Sequence, residues 1–375
     1  MAEVTIYEVK TSKQEREFIK LPWKIYENDS NWVPPLISDF KKTIRGETNT
    51  LKKSGPYALI IAYLGAEVCG RLIVGINETL NIAKDYKEGY ISFFECMDNE
   101  EVAKTMFDYA SEWLKIRGIE KIIGPISVPD GDDNRGLLID NFEDPPIVMN
   151  VYNPPYYRKF FEDYGFYKYW DVYAYHFDIT KELDERFSNV TQYAMKKYGF
   201  TVDKLDLKNI DKDMKDVKTI IEKAMPEEWE DFIPPNDDEI AIMAKSLVPV
   251  ADPDLIYIAR DKNGEPIGFN IAMPDYNQVL KRMNGRVFPI GFLKYYYYKR
   301  KINRGRLFVL FVVPEYRKKG VAGAIYLKGI ETAKKKGYVA GEGSTIWEYN
   351  TIMRRDAESV GGKIYKTYRI YKKDI

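Results

Sequence analysis

Residues 306–324 read RLFVLFVVPEYRKKGVAGA. Phe308 to Val313 form an apolar run of strand length. Beyond the turn, Ala322, Ile325, Tyr326, Gly329 and Ile330 share one helical face, with Glu331, Lys334 and Lys335 turned away. That spacing predicts a helix over about 319–336, closed by Gly337. A strand, a basic turn and a helix therefore follow one another. A helix N-terminus offers unpaired N–H groups and the positive end of its dipole, and both favour a bound phosphate. Gly320 and Gly323 carry no side chain to keep a ligand off the backbone. Arg317, Lys318 and Lys319 add positive charge, and the nearest acid, Glu315, lies upstream. The spacing alone is compatible with a pyrophosphate-sized site and equally with a solvated basic turn.

Working outward, the chain carries one plan twice. NWVPPLISD at 31–39 is echoed by DFIPPNDDE at 231–239. A hairpin follows each: YALIIAYLGAEVCGRLIVGI at 57–76, and DLIYIARDKNGEPIGFNIAM at 254–273, which turns at Asn263-Gly264. Gly70 and Gly268 hold matching places in the second strands. Each half then runs strand, turn, amphipathic helix, glycine, strand. In the first half the helix spans about 100–116, with Val102, Met106, Tyr109, Trp113 and Ile116 on one face. Hairpins combined with a helical crossover predict a mixed α/β fold, each sheet mostly antiparallel and flanked by helices. The domains are expected at 1–180 and 181–375.

The two turns differ in charge. Aligned on Val-Ala, Cys96-Met97-Asp98-Asn99-Glu100-Glu101 falls opposite Glu315-Tyr316-Arg317-Lys318-Lys319-Gly320. Acids suit a helix N-terminus but repel a pyrophosphate. The first half is therefore expected to have lost the anion site. A polar loop in that half, with Asp130, Asp132, Asp133, Asn134 and Arg135, reads either as a pocket for a cationic acceptor or as a solvated connection.

Composition narrows the chemistry. The 375 residues are 45% hydrophobic and 30% charged, with 57 basic and 57 acidic side chains. That balance argues against a nucleic-acid partner, DNA included. No apolar run nears the roughly 20 residues of a membrane span. The charged N-terminus has no signal-peptide core, so a cytoplasmic location is expected. The single histidine, His176, excludes a multi-histidine metal site, and no metal is expected. Cys69 and Cys96 read as buried free thiols.

Arg317-Lys318-Lys319-Gly320-Val321-Ala322 resembles the acyl-CoA signature of the GNAT acetyltransferase superfamily, Arg/Gln-x-x-Gly-x-Gly/Ala. The Val312-Val313-Pro314-Glu315-Tyr316 lead-in, Asn350 after the next strand and Gly361 near the end resemble the family's pattern as well. The likeness covers about 195–375; the first half matches in element order and in Tyr164-Gly165-Phe166. The chain resembles a tandem GNAT protein with a degenerate N-terminal half.

The resemblance implies acetyl-CoA or a longer acyl-CoA as co-substrate and a small-molecule or peptide amine as acceptor. Val312, Val313, Arg317, Lys318, Lys319, Gly320, Val321, Ala322, Gly323 and Asn350 would hold the CoA, with Val313 N–H facing the thioester oxygen. The tyrosine that commonly protonates the leaving thiolate is replaced by Ala357. Glu342 and Glu348 are the candidate bases, and Tyr349 or Tyr365 would stand in as acid. Other readings are an acyl-CoA sensor without turnover and an aminoacyl or peptidyl transferase. The insert at about 277–305 is aromatic and basic. It reads as a lid for a long acyl chain, a membrane-surface patch or a domain-packing helix.

Overall fold

The computed structural model describes residues 3–129, 135–224 and 250–375. Asp130, Asp132, Asp133 and Asn134 lie outside the described residues, as does the 231–239 repeat. The chain begins with β1 (Val4–Glu8), α1 (Ser12–Ile25), α2 (Ile37–Ile44), β2 (Tyr57–Leu64), β3 (Glu67–Ile76) and α3 (Glu78–Lys84). It continues through β4 (Glu88–Cys96), α4 (Glu100–Lys115), β5 (Lys121–Gly124), β6 (Leu137–Leu138), α5 (Tyr157–Asp163) and β7 (Tyr167–Asp178). Next come α6 (Glu185–Tyr198), β8 (Phe200–Lys204), α7 (Ile210–Ala224), β9 (Tyr257–Asp261), β10 (Pro266–Pro274), α8 (Asn277–Met283) and α9 (Gly291–Lys299). The last elements are β11 (Arg304–Val312), α10 (Val321–Lys335), β12 (Ala340–Trp347), α11 (Thr351–Ser359) and β13 (Lys363–Asp374).

These elements form two compact units. One gathers Met1–Val172, Asn277–Lys299 and Lys366–Ile375; the other gathers Tyr173–Tyr276 and Arg300–Tyr365. In the first, strands run β1-β2-β3-β4-β5-β13, antiparallel except for the β4–β5 pair. In the second they run β7-β12-β11-β10-β9-β8, and β11–β12 is a parallel pair. Parallel neighbours need a crossover, which α4 and α10 supply.

Each crossover helix buries its apolar face on its own sheet. The buried face of α4 is Val102, Ala103, Met106, Phe107, Ala110, Trp113 and Leu114. It is rotated from the expected face: Ile116 is 69% exposed, because it caps the helix end and points off the sheet. On α10, Val321, Ala324 and Ile325 pack with Phe269, Ile258 and Ile220. The matched glycines have a shared cause. A Cβ on Gly70 would lie 2.7 Å from Met106 Sδ and 3.1 Å from Val102, and one on Gly268 would lie 3.0 Å from Val321. In both units the first helical turn rests directly on that strand's backbone.

Register corrects the alignment of the two turns. Gly70 pairs with Cys96 and Gly268 pairs with Val312, so Cys96 corresponds to Val312, not Glu315. From there to the matched valines lie residues 97–101 in the first unit and 313–320 in the second. The second unit's turn is longer by three residues as well as opposite in charge. The first is closed by Asn99, whose side chain accepts from Val102 N–H at 3.1 Å, with Glu100 and Glu101 in the first turn.

Candidate active site

The second unit's central strands separate. β11 and β12 pair only from Arg304–Leu307 against Ala340–Gly343. β11 then continues to Val312 with half-buried apolar residues, Phe308 through Val312. Its partner on the other edge, β10, stays paired up to Gly268↔Val312. Val313 N–H donates to Ile267 O at 3.0 Å, and its side chain is buried. The amide expected to meet a thioester oxygen is thus committed to the sheet. Successive N–H groups of a strand point to opposite edges, so Val312 N–H faces the opening.

At the end of β11 the basic turn leads into α10. Gly320 is the N-cap at φ +84°, no side chain caps the helix, and no acid lies in its first turn. A Cβ on Gly320 would sit 2.8 Å from Ala194 Cβ, so both conformation and space demand glycine. Val321 is buried, while Ala322 and Gly323 are half-buried. Lys318, at φ +62°, is exposed, and Lys319 Nζ lies 4.6 Å from the Tyr316 ring centroid. Arg317 differs from expectation. It donates to Ala224 O at 2.6 Å and Val312 O at 3.3 Å, so its guanidinium braces the turn from behind. The helix N-terminus, without cap or counter-charge, fits an anion such as the CoA pyrophosphate.

Glu342 lies on β12 beside Arg306 of β11 and is 2% exposed. It accepts hydrogen bonds from Ser344 Oγ and Tyr365 OH. Arg306 is equally buried and donates to Ser344 O at 3.0 Å through Nη2. The His176 ring lies edge-on to Tyr365 at 5.6 Å. Strands β7, β11, β12 and β13 thus bring one carboxylate, one guanidinium, two hydroxyls and the only imidazole onto one sheet face.

Glu348 and Tyr349 do not join them. They follow the end of β12, six and seven residues beyond Glu342, or about 20 Å along an extended chain. Tyr349 stacks on Trp347 at 5.5 Å, and Glu348 O accepts from Arg354 at 3.1 Å. Asn350 caps α11, its side chain accepting from Met353 N–H at 3.2 Å. Arg135, in the first unit, is half-buried before β6. Sequence reading chose Glu342 but missed Ser344 and Arg306. Their alternation along β12 and β11 was visible, but the pairing that faces them inward was not.

On the opposite sheet face an apolar pocket opens between α10 and the strands. Phe177, Ile179, Leu307, Ile325, Tyr326 and Ile330 form its walls, and Gly305, Gly329 and Gly341 leave room inside. Burial pushes the Tyr326 and Tyr338 hydroxyls well above the usual phenol range, so both stay neutral. Among the described residues there is no cluster of metal-ligating side chains, and no helix is long and apolar enough to cross a membrane.

Known proteins share this build. Residues 214–345 match the acetyltransferase (GNAT) family. The chain is 27% identical over 397 residues to a bacterial ceramide synthase of Caulobacter vibrioides (strain NA1000 / CB15N), covering 100% of this chain and 98% of that protein. It is 28% identical over 373 residues to protein YghO of Escherichia coli (strain K12), covering 96% and 93%. A solved tandem GNAT protein from the clavulanic acid biosynthesis pathway superposes with a TM-score of 0.61, covering 99% of this chain and 98% of that one. Its 9% identity makes that a likeness of fold. Residues 214–345 thus carry the likeness to the acetyltransferase (GNAT) family, and the chain as a whole has the fold of a tandem GNAT protein.

Proposed function

We propose that this chain transfers a long acyl group from CoA to the amine of a long-chain amino alcohol. The observation that carries the transfer is the uncapped, acid-free N-terminus of α10 beside strands that separate after Leu307. The backbone from Gly320 to Gly323, with Lys318 and Lys319 around it, would hold the pyrophosphate. Val312 N–H would polarise the thioester carbonyl at the opening. The amine attacks the carbonyl carbon, a C–N bond forms, the C–S bond breaks and the thiolate leaves. Glu342, directly or through Tyr365 OH, takes the proton that the nitrogen sheds.

Two observations support long chains. The pocket under α10 is apolar, and Leu307, in the last pair before the strands part, lines it. A ceramide is the amide of a long-chain amino alcohol, and the full-length similarity to a bacterial ceramide synthase points to that acceptor class. We propose the first unit as the acceptor-binding half, since its turn lacks the anion site.

The test is release of CoA from acyl-CoA thioesters of graded length with long-chain amino alcohols and with short amines. Glu342→Gln should lower turnover by about 10²–10⁴-fold while CoA affinity holds. Wild-type turnover confined to short acyl groups and short amines would overturn the long-chain reading. Undiminished turnover in Glu342→Gln would remove Glu342 from the proton path.

A further inference from the structure

The insert between β10 and β11 is anchored at one end and bare at the other. Asn277 Nδ2 donates to Pro146 O at 2.9 Å, Trp23 Nε1 donates to Asn284 Oδ1 at 2.9 Å, and Ile37 N–H donates to Gly285 O at 3.0 Å. Gly285, at φ +75°, lies so close to Trp23 that a Cβ would come within 2.5 Å of the indole. Helix α8 buries Val279 and Met283. Lys294 of α9 donates to Arg282 O at 2.8 Å, which ties α9 to α8. This frame belongs to the first unit and fixes the insert there.

Helix α9 and the loop before it present apolar side chains to solvent. Phe288 is 75% exposed, Leu293 58%, Tyr296 69% and Tyr297 59%, with Ile290 and Phe292 also exposed. Phe288 and Phe292 lie 5.9 Å apart, and Leu293, Tyr296 and Tyr297 share one helical face by their spacing. An exposed cluster of this kind marks a contact surface. Its charge selects the partner. No acidic residue occurs between Asp275 and Glu315, whereas Lys281, Arg282, Arg286 and Lys299 flank the apolar side chains along the segment. All four cations are exposed. Protein interfaces deplete lysine around their apolar centre. Aromatic side chains flanked by cations, without acids, match the boundary of an anionic bilayer, where rings sit at headgroup depth and each cation adds attraction.

We propose that residues 286–299 dock onto anionic lipid bilayers. The rings of Phe288 and Phe292 with Leu293, Tyr296 and Tyr297 enter the headgroup boundary, and Arg286 and Lys299 meet the phosphates. This is a property of the surface, separate from catalysis, and its test needs no turnover.

The full chain is floated with vesicles of phosphatidylcholine alone and of phosphatidylcholine with about 30% phosphatidylglycerol. Partitioning should rise at least about tenfold with the anionic lipid and fall as salt is raised. Phe288→Asp with Leu293→Asp should reduce it about tenfold or more. Arg286→Glu with Lys299→Glu should cost about fivefold for each site and remove the preference for anionic vesicles. All four side chains face solvent, so melting curves should match wild type and show that the variants fold. Three outcomes overturn the proposal: no binding to anionic vesicles at low salt, equal binding to both vesicle types, or wild-type binding by Phe288→Asp with Leu293→Asp. Concentration-dependent self-association that these substitutions abolish, with no effect of vesicles, would assign the surface to a second copy and overturn it too.

Discussion

Gly329 lies in the middle of α10 on the wall of the apolar pocket, and a Cβ there meets nothing within 4 Å. A mid-helix glycine costs about 1 kcal/mol relative to alanine. Neither packing nor backbone geometry requires it, so the space it leaves is what it contributes. Gly329→Ala should raise the melting temperature, by about 0.5–1 kcal/mol of stability. Gly329→Leu should fill the pocket and shift preference toward shorter acyl groups, while CoA itself binds as before. Rates across a graded set of acyl-CoA thioesters check this; an unchanged length profile in Gly329→Leu would place the acyl chain elsewhere. Gly320 is the opposite case. Its φ of +84° and its contact with Ala194 mean that any side chain there strains the turn itself. Loss of CoA binding in a Gly320 variant would therefore not separate ligand contact from local unfolding. At this scale Glu342 was legible in the sequence as a carboxylate on a strand. Its burial against Ser344, Tyr365 and Arg306 was not, because those partners come from strands far apart in the chain.

The two strand-turn-helix elements show what the longer turn adds. Both units have a parallel pair that stops early: β4–β5 pairs only over Glu88–Tyr90, and β11–β12 only over Arg304–Leu307. Both rest the first helical turn on a glycine of the neighbouring strand. They differ in the turn alone, which is short, acidic and capped by Asn99 in one and long, basic and uncapped in the other. An uncapped helix forgoes about 1 kcal/mol of side-chain capping, which is consistent with a terminus kept for a ligand. Calorimetry should find CoA binding near one per chain, and a stoichiometry near two would show that the acidic turn also holds the ligand. Hairpins, crossover helices and their order were legible because periods of two and 3.6 residues are local. Register was not. The Val-Ala match set Cys96 opposite Glu315, whereas the sheet sets it opposite Val312, since pairing depends on contacts between strands that no local pattern encodes.

Across the whole molecule the chain does not keep its units in sequence order. Its last ten residues, from Lys366, belong to the first unit, where Tyr371–Asp374 pair with Lys121–Gly124 of β5. Lys366 is fully buried there and donates to Asp144 O at 2.6 Å. Arg369 grips Asp171 with both arms of its guanidinium, at 2.8 and 3.0 Å. Burial alone would raise the Asp171 carboxyl, but hydrogen bonds from Arg369 and Lys168 outweigh it and hold its pKa below the ordinary 3.8. A carboxylate depressed in this way stabilises the fold above its unfolded pKa, and that contribution is lost as pH falls through the lower folded value. Asp171→Asn leaves the partly buried Arg369 without its counter-charge, so it should lose about 3 kcal/mol near neutral pH. The gap to wild type should hold down to about pH 4, shrink below the ordinary 3.8 as the unfolded carboxyl takes up its proton, and close once pH has fallen through the lower folded value. Removing residues 366–375 should do more, since it exposes the β5 edge of the first unit to pairing with other chains. Denaturant melts of Asp171→Asn and wild type across the acidic range check the first expectation. A difference that stays constant below pH 3 would show that the pair contributes packing and not charge.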